Sequence, residues 1–271
     1  MNEIFKRQRE IKKEIQLLKY KKVESVAVKE KNNLGFYKYS CKSCGGKISI
    51  MDKFPVCCNS TIKAKQELIK ETQTLFEELK ATMVIIKLYR AGFKQRELEA
   101  SFENFETNEH NKQSKDFCLN FANNFISGKN IILTGKKGTG KTHLISAIIK
   151  NILKRNIKFK VFFFTLTNFL TKIKNDFSIY YNYFEDVANC DILIIEDLGQ
   201  EKLSDFDKQT VFNLINERYR RKKSIFVTTN ISGKGITEAI GSTTFSRIYE
   251  GASVFKMNGA SVRKIDKYEE D

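Results

Sequence analysis

The sequence predicts an α/β fold, a parallel sheet between helices, and three features predict it. Residues Gly135 to Thr142 read GKKGTGKT, which fits the phosphate-binding pattern G-x-x-x-x-G-K-[ST]. A short apolar run, Ile131-Ile132-Leu133, precedes that loop, and Leu144, Ile145, Ile148, Ile149 and Ile152 follow it at helical spacing. A second apolar run, Ile192 to Ile195, ends in the paired carboxylates Glu196 and Asp197. With 271 residues, 41% of them hydrophobic and 22 of them Phe, the chain can build one medium α/β domain and a smaller appendage.

In chain order the N-terminal part comes first. The formal net charge is +16, and residues 1–100 hold 22 Lys and Arg against 12 Asp and Glu. Such an excess suits a polyanionic partner, although a general richness in Lys, Ile, Asn and Phe accounts for it as well. Ile4, Ile11, Ile15 and Leu18 share one helical stripe, which predicts an amphipathic helix or a solvated, partly ordered tail. No segment has the apolar core of a signal peptide or transmembrane length, so the expected location is the cytoplasm, with no membrane partner.

Cys41-Lys42-Ser43-Cys44-Gly45-Gly46 is a C-x-x-C knuckle, and Cys57 and Cys58 follow. These four thiols are the candidate ligands of a tetrahedral Zn²⁺ site. Adjacent Cys57 and Cys58 converge less easily than a spaced pair, and reduced structural thiols are the competing reading. Cys118 and Cys190 sit in apolar contexts that suit core residues. Between Thr61 and Arg90 there is no Gly or Pro, and Ile62, Ile69, Phe76 and Met83 recur every seven residues, with Leu79 and Ile86 between them. That pattern predicts a long helix, packed on the zinc knuckle or on a partner. Gly92 punctuates it, so the expected division is a helical and cysteine domain at 1–95 and an ATPase domain at 96–271.

In the second part, Lys115 to Phe125 reads as a helix, Lys158 to Phe164 as a strand, and Phe206 to Lys222 as an amphipathic helix. Ser224 to Asn230 and Ser253 to Met257 read as further strands. Thr167 to Asn189 sets Lys172 and Lys174 beside Phe177, Tyr180, Tyr181, Tyr183 and Phe184. Lysines there can neutralise backbone phosphates while exposed rings stack on bases, or the rings simply pack a helix onto the sheet.

The chemistry of the loop explains its spacing. Gly135, Gly138 and Gly140 let backbone N–H groups turn inward around phosphate oxygens, with Lys136, Lys137 and Thr139 between them. Lys141 can reach the β- and γ-phosphates, and the Thr142 hydroxyl can ligate Mg²⁺. The helix that follows, with His143 in its first turn, points its positive dipole end at the same anion. Of the two carboxylates Glu196 and Asp197, one can orient hydrated Mg²⁺ and the other can activate the attacking water.

The order and spacing of these motifs resemble the DnaC-type helicase loaders and the IstB-type transposition helper ATPases, both of the AAA+ class. The likeness covers about residues 96–263, with Ser101-Phe102-Glu103-Asn104-Phe105 similar to the family's entry segment, and extends more loosely to the cysteine segment and the long helix. Cys190 to Gly199 is similar to the family's Walker B segment, which implies Glu196 for the metal and Asp197 for the water. Glu196 stands where the family usually has Asp, which bears on hydrolysis more than on binding. Ile215-Asn216-Glu217-Arg218-Tyr219 resembles the helix before the fourth strand. Ser224 to Asn230 resembles the sensor-1 strand, which makes Asn230 the residue facing the γ-phosphate or the water. Phe245-Ser246-Arg247-Ile248 resembles the motif that supplies an arginine finger across a subunit interface, a role suited to a permanent forked cation. A surface helix arginine is the plainer reading of Arg247. Asn258 to Arg263 resembles the terminal G-x-D-x-R, with Ser261 in place of the acid.

The resemblance implies a five-stranded parallel AAA+ P-loop domain behind a small N-terminal helical, zinc-binding domain. It implies ATP, Mg²⁺ and Zn²⁺ as cofactors, and slow, partner-stimulated ATP hydrolysis. It also implies a hexameric replicative helicase, single-stranded DNA and further copies of the chain at the ATP sites as partners. The function expected is loading of the replicative helicase onto single-stranded DNA. Alternatives are an IstB-type transposition helper and a nucleotide-gated adaptor that hydrolyses little. The cysteine segment favours the loaders, since the transposition helpers generally lack one.

Overall fold

The computed structural model describes residues 1–31, 37–43, 47–48, 59–175 and 177–258. They fall into two compact units, Met1–Ile86 and Lys87–Asp271.

In the first unit the charged N-terminal stretch forms α1 (Asn2–Val26), whose stripe buries Ile11 and Ile15. Arg7 grips Glu78 through Nε and a second nitrogen at 2.8 and 3.1 Å and reaches Glu14 at 2.9 Å. A small antiparallel sheet follows, of β1 (Ala27–Lys31), β2 (Tyr37–Cys41) and β3 (Lys47–Ile48) in that order. Ala27 pairs with Cys41 and Tyr39 with Ile48. The sequence reading had no sheet here, although Tyr37-Lys38-Tyr39-Ser40-Cys41 alternates with the period of a strand. Cys41 is buried at the end of β2, where its Sγ accepts the Ser43 N–H at 3.4 Å. Cys44, Cys57 and Cys58 lie outside the described residues. Among the described residues no cluster of His, Cys, Asp or Glu could hold a metal ion.

The long helix is α2 (Asn59–Ala91). Along it Ile69, Phe76 and Met83 are 46, 50 and 37% exposed, while Leu68, Val84 and Ile86, the last of these from the intermediate stripe read in the sequence, are buried. A strict seven-residue spacing drifts off a single face unless the helix supercoils with a partner, so the neighbouring face carries the packing.

The second unit begins at Lys87, ahead of Gly92, because Phe93 is buried there and its ring stacks on Phe163 at 4.4 Å. It runs through α3 (Gln95–Glu99), α4 (Lys112–Asn123), β4 (Ile131–Thr134), α5 (Lys141–Arg155) and β5 (Val161–Thr165). Then come α6 (Leu166–Asn175), α7 (Phe177–Asn189), β6 (Ile192–Glu196), α8 (Asp205–Arg220) and β7 (Ser224–Thr229). The described part closes with α9 (Gly233–Ile240), α10 (Ser242–Tyr249) and β8 (Ser253–Lys256). The sheet order is β5-β6-β7-β4-β8, parallel at every pairing, as the sequence predicted.

The apolar runs explain that sheet. Ile192 to Ile195 are buried on both faces, as are Ile131 to Leu133 and Ile225 to Val227. In α6, Leu166, Phe169, Leu170 and Ile173 keep helical spacing and all turn inward, with Phe169 stacked on Phe164 at 4.9 Å. Each such buried side chain contributes about 1.5–3 kcal/mol. Cys118 and Cys190 are fully buried, as expected. Arg218 is not on the surface, as its polar neighbours suggest, but fully buried. Its NH1 donates to the carbonyls of Val187, Ala188 and Cys190 at 2.7, 3.2 and 2.9 Å, and its NH2 to that of Ser224 at 2.6 Å. The guanidinium thereby ties the end of α7 to the starts of β6 and β7.

Candidate functional site

Strand β4 stops at Thr134, and the chain turns through the predicted loop into α5. The loop glycines are required by the backbone. Gly135 has φ +151, and a Cβ there would come within 2.5 Å of the Met257 carbonyl oxygen. Gly140 has φ +89, and a Cβ there would meet the Phe105 ring at 2.7 Å. Thr139 tightens the turn by donating to the Lys136 carbonyl at 3.0 Å, while Lys136 and Lys137 stay exposed. Lys141 is only 6% exposed and lies back across the loop, its Nζ 2.8 Å from the carbonyls of both Gly135 and Lys136.

Strand β6 delivers the carboxylates. The Thr142 hydroxyl donates to Glu196 Oε1 at 2.6 Å, so the longer side chain at the metal position does reach the P-loop. Burial pushes the Glu196 carboxyl pKa up against that hydrogen bond, and the charges of Asp197 and Glu97 push it the same way. Asp197 sits at φ 52, in the left-handed region that Asp tolerates better than most residues. Its N–H donates to Thr228 Oγ1 at 3.0 Å, and Thr229 Oγ1 donates to the Leu198 carbonyl at 2.8 Å. Two threonines of β7 therefore hold the turn carrying Asp197.

A cavity of about 420 Å³ joins these parts. Lys137, Gly138, Gly140, Lys141, Thr142 and His143 line it, together with Glu196 and Asp197. Arg96 and Glu97 of α3, with Ala100, Asn104, Phe105 and Glu106, complete its wall. Sequence reasoning missed Arg96 and Glu97, because α3 is only five residues long and its N-cap is a lysine, whose backbone N–H the Glu97 carboxylate accepts at 2.9 Å. Thr228 and Thr229 were equally hidden, since their role depends on strand pairing.

Asn230 and Arg247 are not among the lining residues. Asn230 directly follows β7, and its Oδ1 is buried with no hydrogen-bond partner among the described residues. Arg247, on α10, lays its guanidinium 4.7 Å from the Phe212 ring centroid and 5.9 Å from that of Tyr219, both on α8. One of its terminal nitrogens is buried and likewise has no partner among the described residues. His143 does not turn to the loop: its Nε2 lies 2.8 Å from the Ser101 carbonyl, and its ring meets Phe105 edge-on at 5.2 Å. Burial lowers the His143 pKa, which leaves Nε2 as the protonated nitrogen of a neutral ring facing a carbonyl.

The candidate DNA-contact stretch is divided between packing and exposure. Tyr183 packs on Phe162 and Phe169, each at 6.0 Å, and Phe184 lies against the core. Tyr181 is 71% exposed. Lys172 sits 3.9 Å over the Tyr183 ring, and Lys174 pairs with Asp207 at 2.6 Å. The side chains of Phe177 and Tyr180 lie outside the described residues, as do Ser261 and Arg263.

The residues present fit a nucleoside triphosphate and its Mg²⁺. The glycine cradle has no room for side chains, a buried ammonium spans it, and a hydroxyl and a carboxylate meet at its rim. Comparison with known proteins agrees. Residues 67–270 match the family described as IstB-like ATP binding protein. The replicative helicase loader DnaC of Buchnera aphidicola subsp. Baizongia pistaciae is 30% identical over 204 residues, which cover 71% of this chain and 81% of that one. DnaC of Escherichia coli K12 is 26% identical over 175 residues, 61% of this chain and 69% of its own. A crystal structure of the DnaC helicase loader superposes with a TM-score of 0.56 at 26% identity, covering 61% of this chain and all of that one.

Proposed function

We infer function from one premise: the chain belongs to the IstB-like ATP binding protein family, with replicative helicase loaders among its relatives. On that premise it is an ATP-binding AAA+ protein of DNA replication that loads the replicative helicase onto single-stranded DNA in the cytoplasm. The observation that carries the reading is the 2.6 Å contact between Thr142 and Glu196, which brings the P-loop and the carboxylate strand into one working site.

Bound ATP supplies the transferable phosphoryl group, and Mg²⁺ neutralises charge on its oxygens. The chain's own residues do the rest. Backbone N–H groups from Gly138 to Thr142 hold the phosphates, and Lys141 exchanges the carbonyls of Gly135 and Lys136 for phosphate oxygens. Thr142 and Glu196 would hold the metal, whose charge would offset the burial that favours a protonated Glu196. Asp197, on the turn fixed by Thr228, would take the proton of the attacking water, and Asn230, outside the cavity lining and with no partner for its Oδ1 among the described residues, would be the sensor of the γ-phosphate.

Arg247 serves the ATP site of a neighbouring copy only after leaving the rings of Phe212 and Tyr219. That stacking supports an expectation of slow hydrolysis stimulated by a partner, and it suits equally the second reading, a nucleotide-gated adaptor with little turnover. The basic first unit meets the helicase, and Cys41, Cys44, Cys57 and Cys58 would be the ligands of the Zn²⁺ that the C-x-x-C spacing suggests. Lys172, Lys174 and the exposed Tyr181 of α6 and α7 contact single-stranded DNA.

The test is a loading assay with the hexameric helicase of the same replicon on circular single-stranded DNA. The loader reading expects helicase retained on the circle only with both this chain and ATP present. Retention of a transposase on duplex DNA, with no effect on the helicase, would overturn it in favour of the transposition helper.

A further inference from the structure

The segment between α3 and α4 is a preformed clip fastened along α5. Asn104 folds it on itself, since its Oδ1 accepts from the Ser101 N–H and hydroxyl at 2.8 and 3.1 Å and its Nδ2 donates to the Glu99 carbonyl at 3.0 Å. Three contacts then fix the clip to the helix that follows the P-loop. Lys150, nearly buried, donates to the Leu98 carbonyl in the last turn of α3, which anchors the point where the clip begins. His143 donates to the Ser101 carbonyl at 2.8 Å. The Phe105 ring, 6% exposed, covers Gly140 so closely that a Cβ there would stand 2.7 Å away, and it meets the His143 ring at an interplanar angle of 68°.

This clip gives the cavity a second kind of wall. The P-loop, Glu196 and Asp197 offer N–H groups, an ammonium and carboxylates, which suit phosphate and metal. Ala100 and Phe105 offer apolar surface, with the polar residues Asn104 and Glu106 beside them, which suits the flat base and hydroxylated sugar of a nucleoside. Of the three fasteners only His143 both lines the cavity and belongs to the first turn of α5 beside the metal-facing Thr142.

We propose that His143 is a positioning residue for nucleoside recognition: through Ser101 and Phe105 it holds the Ala100–Glu106 wall against the P-loop, so that base and sugar, not phosphate alone, contribute to binding. The proposal rests on the ATP-binding reading and deepens it. A histidine that only packed the fold would affect triphosphate and nucleoside binding alike. A positioning histidine separates them. Gln at this place keeps a donor that reaches the Ser101 carbonyl, whereas Ala and Phe do not.

The experiment is an equilibrium titration of the full chain with Mg·ATP and with Mg·tripolyphosphate, for wild type, His143→Ala, His143→Gln and His143→Phe. Loss of one net hydrogen bond and its ring contact predicts ATP affinity about tenfold weaker in His143→Ala. Tripolyphosphate affinity stays within about twofold, and His143→Gln recovers most of the ATP affinity. If His143→Ala does not fold, the same split between His143→Gln and His143→Phe carries the test. Equal losses for both ligands, or no loss for either, overturn the proposal while leaving ATP binding in place. Wild type that binds neither ligand overturns the ATP-binding reading and the proposal together.

Discussion

Arg218 offers a quantitative check on how the sheet is held in the shape the site needs. Replacing it with Met keeps most of the volume and removes every donor. The carbonyls of Val187 and Ala188 lie in the last turn of α7, where helical partners are lacking, and with those of Cys190 and Ser224 they lose their guanidinium contacts. Each stranded buried acceptor costs about 1–3 kcal/mol. Against that, Met relieves the burial of a cation that has no carboxylate among these contacts, a burial that already lowers the Arg218 pKa. We expect a net loss of about 3 kcal/mol, with Arg218→Lys also losing stability, because one ammonium cannot span from α7 to Ser224. Urea denaturation followed by circular dichroism measures the loss, and hydrogen exchange of the β6 and β7 amides localises it. Stability of Arg218→Met within about 0.5 kcal/mol of wild type would refute the reasoning.

Other consequences are equally direct. Asp197→Asn keeps a side chain that tolerates the left-handed backbone, so ATP binding persists and hydrolysis is lost; Glu196→Gln instead weakens the Mg²⁺ dependence of binding. Phosphate release and nucleotide titration separate the two, and wild-type behaviour in both variants contradicts the roles assigned. Burial depresses the His143 pKa despite the Ser101 carbonyl, and the charges of Lys150, Arg96 and Lys115 depress it further. The unfolded chain therefore takes the proton first, so stability is full above about pH 6.5 and declines as pH falls toward the folded-state value. Urea midpoints across that range should fall less in His143→Gln than in wild type, and parallel curves count against the burial argument. Lys172→Glu with Lys174→Glu should weaken single-stranded DNA binding and flatten its salt dependence, with under about 1 kcal/mol of stability lost through the Lys174–Asp207 pair. An unchanged salt slope places the DNA site elsewhere.

What could be read from the sequence was what depends on local spacing. The glycines at 135, 138 and 140 encode backbone conformation directly, and the apolar runs at 131–133 and 192–195 encode burial on both faces, so the P-loop and the parallel sheet were legible. Properties set by distant pairing were not. Thr228 acquires its role only when β7 lies beside β6, and Arg218 looks like a solvent-facing helix residue until α7 and β7 close around it. The seven-residue repeat of α2 made the long helix legible, but not which of its side chains are buried within the chain, since such a repeat describes packing along a partner as well. His143 was legible as part of the site by its place after the loop, but its contact with Ser101 was not.

The central claim is that the loop from Gly135 to Thr142, with Lys141 buried across it, binds ATP. Isothermal titration of the wild-type chain and of Lys141→Ala with Mg·ATP tests it most directly. The account predicts saturable binding at one site per chain for wild type and none detectable for Lys141→Ala at unchanged circular dichroism. Equal affinity in the two proteins would contradict it.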